Sequence, residues 1–304
     1  MVKYACPENI EDTAGTAAPE GARFSIRRMA RLLKVSTSGY YQHVRRRAAT
    51  VATPRQQRRA DLEVKIVDIH RESKGTYGSP RVTAELRARG EVVTKKTVAK
   101  IMASVGIEGI SPRTFKVTTT VVDPQASFPP DLIERCFDQV LDAAWFTDIT
   151  YLTCGDGDMF LCAIRDGHSR KVLGYSVSDH IGADMVTAAI DQAVATRGGL
   201  CDGTILHSDR GGEYTAHLTA VACGRYGLRR SMGATGICWD NSPSESFWSI
   251  FKHEEYYRHA YATKSELVAG VDNWVVFYNT VRRNSAVGML SPDSFENSLR
   301  VEVA

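Results

Sequence analysis

The sequence predicts an α/β protein: a mixed-sheet domain in its C-terminal half, preceded by small all-helical modules of helix-turn-helix type. Three observations predict it. Apolar residues recur at helical spacing up to Val105 and switch to strand-like runs from Ala144 onward. A proline- and threonine-containing stretch without periodicity lies between the two regimes. Basic charge is gathered at one end. Ala22 to Arg59 holds eleven Lys and Arg and no Asp or Glu, which leaves 27 basic against 35 acidic residues elsewhere. Such asymmetry is that of a polyanion-binding arm joined to a nearly neutral body, although a solvated basic helix face would look similar.

Bulk composition bounds the rest. A chain of 304 residues with 43% hydrophobic residues suits two or three globular domains with a sizeable core. Seven scattered cysteines without a CxxC pair fit neither a disulfide framework nor a zinc-ligand spacing. No signal-peptide layout and no apolar run of membrane-spanning length is visible, so a cytoplasmic protein without membrane contact is expected.

The elements follow in order. Residues 1–22 read as a flexible tail. Residues 23–60 form the basic arm, with Ile26, Met29, Ala30, Leu32 and Leu33 at helical spacing and Ser36 able to cap a second helix. That pair of helices is a helix-turn-helix pattern, and Arg45, Arg46 and Arg47 at its end are candidate DNA contacts. Residues 61–112 form a second helical module. Its helices begin at Tyr77-Gly-Ser-Pro-Arg, with Ser79 as cap, and at Thr94, whose Lys95 and Lys96 can reach phosphates or be merely solvated. Residues 113–130 are the linker.

Residues 131–300 form the sheet domain. Ala144–Thr153, Met159–Arg165 and Lys171–Val177 read as successive strands with Asp-Gly turns. Ala183–Ala195 is an amphipathic helix, Thr204–His207 a strand, Thr215–Tyr226 a helix, Leu228–Ser231 a strand, and Pro243–Tyr257 and Ser265–Asn279 helices. This is the order of a ribonuclease-H-like α/β domain.

Three carboxylates stand out in it. Asp148 lies in an apolar strand, Asp209 follows a short strand in His-Ser-Asp-Arg-Gly, and Glu245 comes on a helix with 35 residues between it and Asp209. An unpaired charge among Trp145, Phe146, Ile149, Tyr151 and Leu152 would be costly without a cation or basic partner. Clustered carboxylates hold hard divalent cations. Each acid also has a plainer reading, most of all Glu245, which fits a capping box begun by Ser242. Lys252 lies seven residues after Glu245, about two helical turns, on one helix face with it. His207 and Asn241 are candidates to support the acids from behind.

Taken together, Tyr77-Gly-Ser-Pro-Arg, Trp145-Phe-Thr-Asp-Ile-Thr-Tyr, His207-Ser-Asp-Arg-Gly, Asp240-Asn, Glu245, Lys252, Tyr278-Asn and Leu290-Ser-Pro resemble bacterial insertion-sequence transposases of the OrfB type, over residues 24–298. That resemblance implies a retroviral-integrase-like DDE core. Asp148, Asp209 and Glu245 would be catalytic and would hold two cations, normally Mg2+, with Mn2+ able to substitute. Lys252 would hold DNA near the scissile phosphate. The reaction implied is cleavage at the element's ends and joining of the freed 3′-hydroxyl to another strand. Implied partners are double-stranded DNA (terminal repeats and target), a homo-oligomer on DNA, and an upstream-frame product or fusion.

The chain departs from the family in carrying Asn284 where a histidine commonly stands two residues after an arginine, and it has no His-His-Cys-Cys module. Two other readings stand beside the transposase: a hydrolytic ribonuclease-H-like nuclease, and a non-catalytic DNA-binding regulator of transposition.

Overall fold

The computed structural model describes residues 25–48, 52–111, 128–134, 140–199, 201–233 and 242–302. The expected tail, most of the linker, and Asp240 and Asn241 lie outside the described residues. Two compact units are present, Met1–Val64 and Lys65–Ala304.

In the first unit, α1 (Ile26–Leu32) is capped by Ser25, whose hydroxyl accepts from the Arg28 amide. The chain turns at Lys34 (φ 52°) into α2 (Thr37–Ala48), where Ser36 accepts from the Gly39 amide as expected. The helix α3 (Pro54–Glu72) follows, and the boundary between units falls within it.

The second unit opens with a helical hairpin, α4 (Ser79–Ala88) and α5 (Lys95–Ser104). The cap of α4 is Gly78 rather than Ser79: Ser79 is already helical, and Pro80 still falls in the first turn, where its missing N–H costs nothing. Thr94 caps α5 through the Thr97 amide. The chain after α5 crosses α4's entry closely. A Cβ at Gly109 would lie 2.1 Å from the Gly78 nitrogen, so only glycine fits there.

The sheet runs β3-β2-β1-β4-β5, from β1 (Ala144–Cys154), β2 (Gly157–Asp166), β3 (Val172–Ser178), β4 (Ile205–Ser208) and β5 (Arg229–Met232). The first three strands form an antiparallel meander, and β4 and β5 add in parallel beside β1. Between these strands run α6 (Ala183–Thr196), the short α7 (Gly212–Thr215) and α8 (His217–Arg225). The helix expected over Thr215–Tyr226 is α8, which starts two residues later because Thr215 closes α7 and Ala216 between them is non-helical (φ −57°, ψ 146°).

Alternation along β1 sorts the two faces. Trp145 joins Cys162, Ile164, Val186, Ala189 and Ile190 in the core beneath α6. Leu152 and Cys154 join Phe247, Phe251, Trp274 and Tyr278 in the core beneath α9 (Ser242–Glu254) and α10 (Lys264–Thr280). Expected to reach Tyr257, α9 instead ends at Glu254, and a 3-10 turn carries Tyr256–Arg258. A final helix, α11 (Pro292–Glu302), closes the chain. A three-layer α/β/α arrangement on this mixed sheet is the ribonuclease-H-like fold.

Candidate active site

Strand register sets the first relationship. In the parallel β1–β4 pair, Phe146 lies opposite His207. Continuing that register by two residues brings Asp148 level with Asp209, just beyond the end of β4. Period-two alternation places Asp148 on the same sheet face as Phe146 and Leu152, the face covered by α9. Trp248 of α9 donates its indole N–H to Asp148 Oδ2 at 3.1 Å, and the Ile149 amide donates to Oδ1 at 3.0 Å. Glu245 precedes Trp248 by three positions and Lys252 follows it by four, so all three share one stripe of α9.

The charges of the three acids act on one another. Burial, the Asp209 charge and the Glu245 charge together push the Asp148 carboxyl up to about 7, against the two N–H donors that favour its charged form. Burial pushes the Lys252 ammonium below its usual range, and the Asp148 charge opposes that. Asp209 is exposed and accepts from the Gly211 amide at 3.0 Å. Among the described residues no three His, Cys, Asp or Glu side chains form a ready metal-binding group. The acids therefore share an electrostatic neighbourhood without being drawn into one coordination shell. Their donor chemistry, carboxylate oxygens at a half-buried position destabilised by like charge, fits a hard divalent cation.

The remaining expected residues fall elsewhere. His207 is 1% exposed. Its Nδ1 is 2.9 Å from the Ser231 hydroxyl and 3.9 Å from Asp131 Oδ1, and its ring meets Phe146 edge-on. Asn241 lies outside the described residues. Lys95 and Lys96 are exposed in the first turn of α5, and Arg45 is exposed on α2. Arg46 and Arg47 belong to the same helix, their side chains outside the described set. Glu254, at the last position of α9, is engaged away from the site. It is 3% exposed and accepts from Arg282 Nε (2.6 Å), Arg282 Nη2 (2.8 Å) and Arg81 Nη1 (3.1 Å).

Three residues near the acids escaped the sequence reading. Glu213, at the start of α7, is pushed up by burial and by the Asp209 charge. Its position four residues after Asp209 was the only available signal. Tyr214 is buried, with its hydroxyl 3.3 Å from Thr147 Oγ1 on β1. Trp248 had no signal in the sequence, since an indole in an aromatic run reads as core.

Comparison with known proteins gives matches along the chain. An "HTH-like domain" model matches residues 56–115, and two "Integrase core domain" models match residues 142–238 and 226–292. The chain is 35% identical over 282 residues to "Transposase InsF for insertion sequence IS3A" of Escherichia coli (strain K12), covering 91% of this chain and 95% of that protein. It is 28% identical over 269 residues to "Insertion element IS600 uncharacterized 31 kDa protein" of Shigella sonnei, covering 88% and 97%. Among solved structures, the catalytic core domain of BIV integrase matches at 20% identity and a TM-score of 0.42, covering 54% of this chain and 99% of that one. The HTLV-2 integrase catalytic core domain in complex with magnesium matches at 15% identity and a TM-score of 0.41, covering 51% and 96%.

Proposed function

This chain belongs to the IS3 family of insertion-sequence transposases, and on that premise we propose that Asp148, Asp209 and Glu245 are its catalytic, cation-holding residues. The arrangement that supports the proposal is the β1–β4 register, which carried on sets Asp148 level with Asp209, together with the hydrogen bond to Asp148 from Trp248 on α9, the helix that carries Glu245. Two divalent cations, normally Mg2+ with Mn2+ able to substitute, would activate the attacking oxygen and stabilise the leaving oxygen when bound.

The chain's own residues supply position and charge. Trp248 orients Asp148 and favours its charged form. Lys252 stands on the Glu245 stripe of α9 and holds a DNA phosphate near the reacting bond. His207 supports the sheet end behind Asp209 through Ser231. The reaction is cleavage at an element end, then transfer of the freed 3′-hydroxyl to another strand.

DNA is held outside the catalytic centre by two sets of basic residues. Lys95 and Lys96 add charge to the N-terminus of α5, already the positive end of a helix dipole and a favourable place for a phosphate. Arg45, Arg46 and Arg47 serve on the basic arm, which we assign to residues 23–60. We assign the second helical module to residues 61–112 and the catalytic core to 131–300. Partners are double-stranded terminal repeats and target DNA, further copies of the chain on that DNA, and an upstream-frame product or fusion. No helix among the described residues is long and apolar enough to cross a membrane, and we place the protein in the cytoplasm with the bacterial DNA.

Labelled element-end DNA incubated with purified protein and Mg2+ tests the reading. Joined strands are expected, and Asp209→Asn should abolish joining while leaving DNA binding intact. Joining by that variant would overturn the residue assignment. Nicking without joining, or binding alone, by the wild type would favour the hydrolytic nuclease or the regulator instead.

A further inference from the structure

Arg165, near the end of β2, is a buried cation without a carboxylate partner among the described residues. It is 6% exposed. Removing a guanidinium from water is costly unless something nearby repays it. Tyr278 of α10 lies close enough to act on it, and its other contacts lie on the first turn of α9. Nη2 donates to the Pro243 carbonyl at 2.5 Å, and the guanidinium lies over the Phe247 ring at 4.4 Å.

Pro243 and Phe247 stand two residues before and two residues after Glu245. Arg165 therefore grips the turn that carries Glu245 from both sides. It also pairs across the sheet with Phe146, two residues from Asp148 on the same face, and is attracted by the Asp148 charge. The far end of α9 is held differently, through Glu254 with Arg81 and Arg282. The two ends of one helix are thus anchored by separate cations.

We infer that Arg165 is a positioning residue: it fixes the first turn of α9 so that Glu245 stays within reach of Asp148, and it places a permanent positive charge behind the acids. This rests on the reading of Asp148, Asp209 and Glu245 as the cation-holding set. The logic is that of a supporting residue behind a metal ligand, whose loss weakens metal binding without removing a donor.

The test uses the full chain with Arg165→Met, which keeps the volume and apolar stem, and Arg165→Lys, which keeps charge and one donor. Amide hydrogen exchange in metal-free buffer reads the helix. Thermal stabilisation by Mn2+ alone, without DNA, reads cation binding. For Arg165→Met, exchange at Ser244–Trp248 should quicken about tenfold while Phe251–Glu254 stays protected. Half-saturating Mn2+ should rise about tenfold, with Arg165→Lys intermediate. Unchanged exchange, uniform loosening along α9, or an unchanged Mn2+ requirement would overturn the inference. If Arg165→Met does not fold, Arg165→Lys decides: loosening confined to the first turn with a raised Mn2+ requirement supports it, and wild-type behaviour overturns it. Asp148→Asn separates the two layers. If Mn2+ stabilises it as well as the wild type, the underlying carboxylate reading fails whatever Arg165 does.

Discussion

Trp248 Nε1 donates to Asp148 Oδ2 across 3.1 Å, tying α9 to the central strand one turn beyond Glu245. A hydrogen bond to a carboxylate favours its charged form. The same indole packs in an aromatic cluster with Phe247 and Phe251. Trp248→Phe should keep most of that packing and lose the donor. Asp148 should then hold its proton more tightly, moving the acid limb of the strand-transfer pH profile upward by about one unit, the worth of one charge-assisted hydrogen bond. Rates measured from pH 5.5 to 9 check this, and an unmoved acid limb would refute it.

Asp148 makes a second, metal-free prediction. Its carboxyl is raised to about 7 in the fold, chiefly by burial and then by Asp209. The folded chain thus binds this proton more tightly than the unfolded chain. Stability therefore falls as pH rises from the ordinary carboxylate range to about 7, and the full cost stands above that. Asp148→Asn removes the charge and should stabilise the metal-free protein at pH 8 by about 2 kcal/mol, after discounting for partial exposure. Near pH 4 the gain should vanish. Urea unfolding in chelator at the two pH values measures it, and an equal effect at both would contradict the electrostatic cause.

The first two acids were legible because strands announce themselves. Asp148 sits in an alternating run, and a parallel neighbour ending in His-Ser-Asp fixes Asp209 beside it by register alone. Helix ends were harder to read. Gly78 displaced Ser79 as a cap because Pro80 is equally at home one position further in. Ala216 moved the start of an expected helix by two residues through its backbone conformation, for which alanine gives no warning. Helix α11 was missed altogether. Contacts between distant residues left no trace: Arg81 meets Glu254 across 173 positions, and Arg165 reads as an ordinary strand arginine although it points into the interior.

That distant contact is itself testable. Burial pushes Glu254 up, but Arg282 and Arg81 overcome it and hold the carboxyl below its usual range. Its contribution to stability is therefore present above the unfolded-state value and lost as pH falls through the folded one. Glu254→Ala leaves two arginines unpaired, Arg282 at 1% exposure, and should cost about 3–5 kcal/mol at pH 7. Chemical denaturation measures the loss. A cost below about 1 kcal/mol would mean the arginines find other partners.

The most direct measurement is anomalous diffraction at the manganese edge from crystals grown with Mn2+. The account predicts manganese peaks within about 2.5 Å of carboxylate oxygens of Asp148 and Asp209, with Glu245 turned toward the same ions. Manganese bound elsewhere, or bound at Asp148 with Asp209 and Glu245 both pointing away, would contradict it.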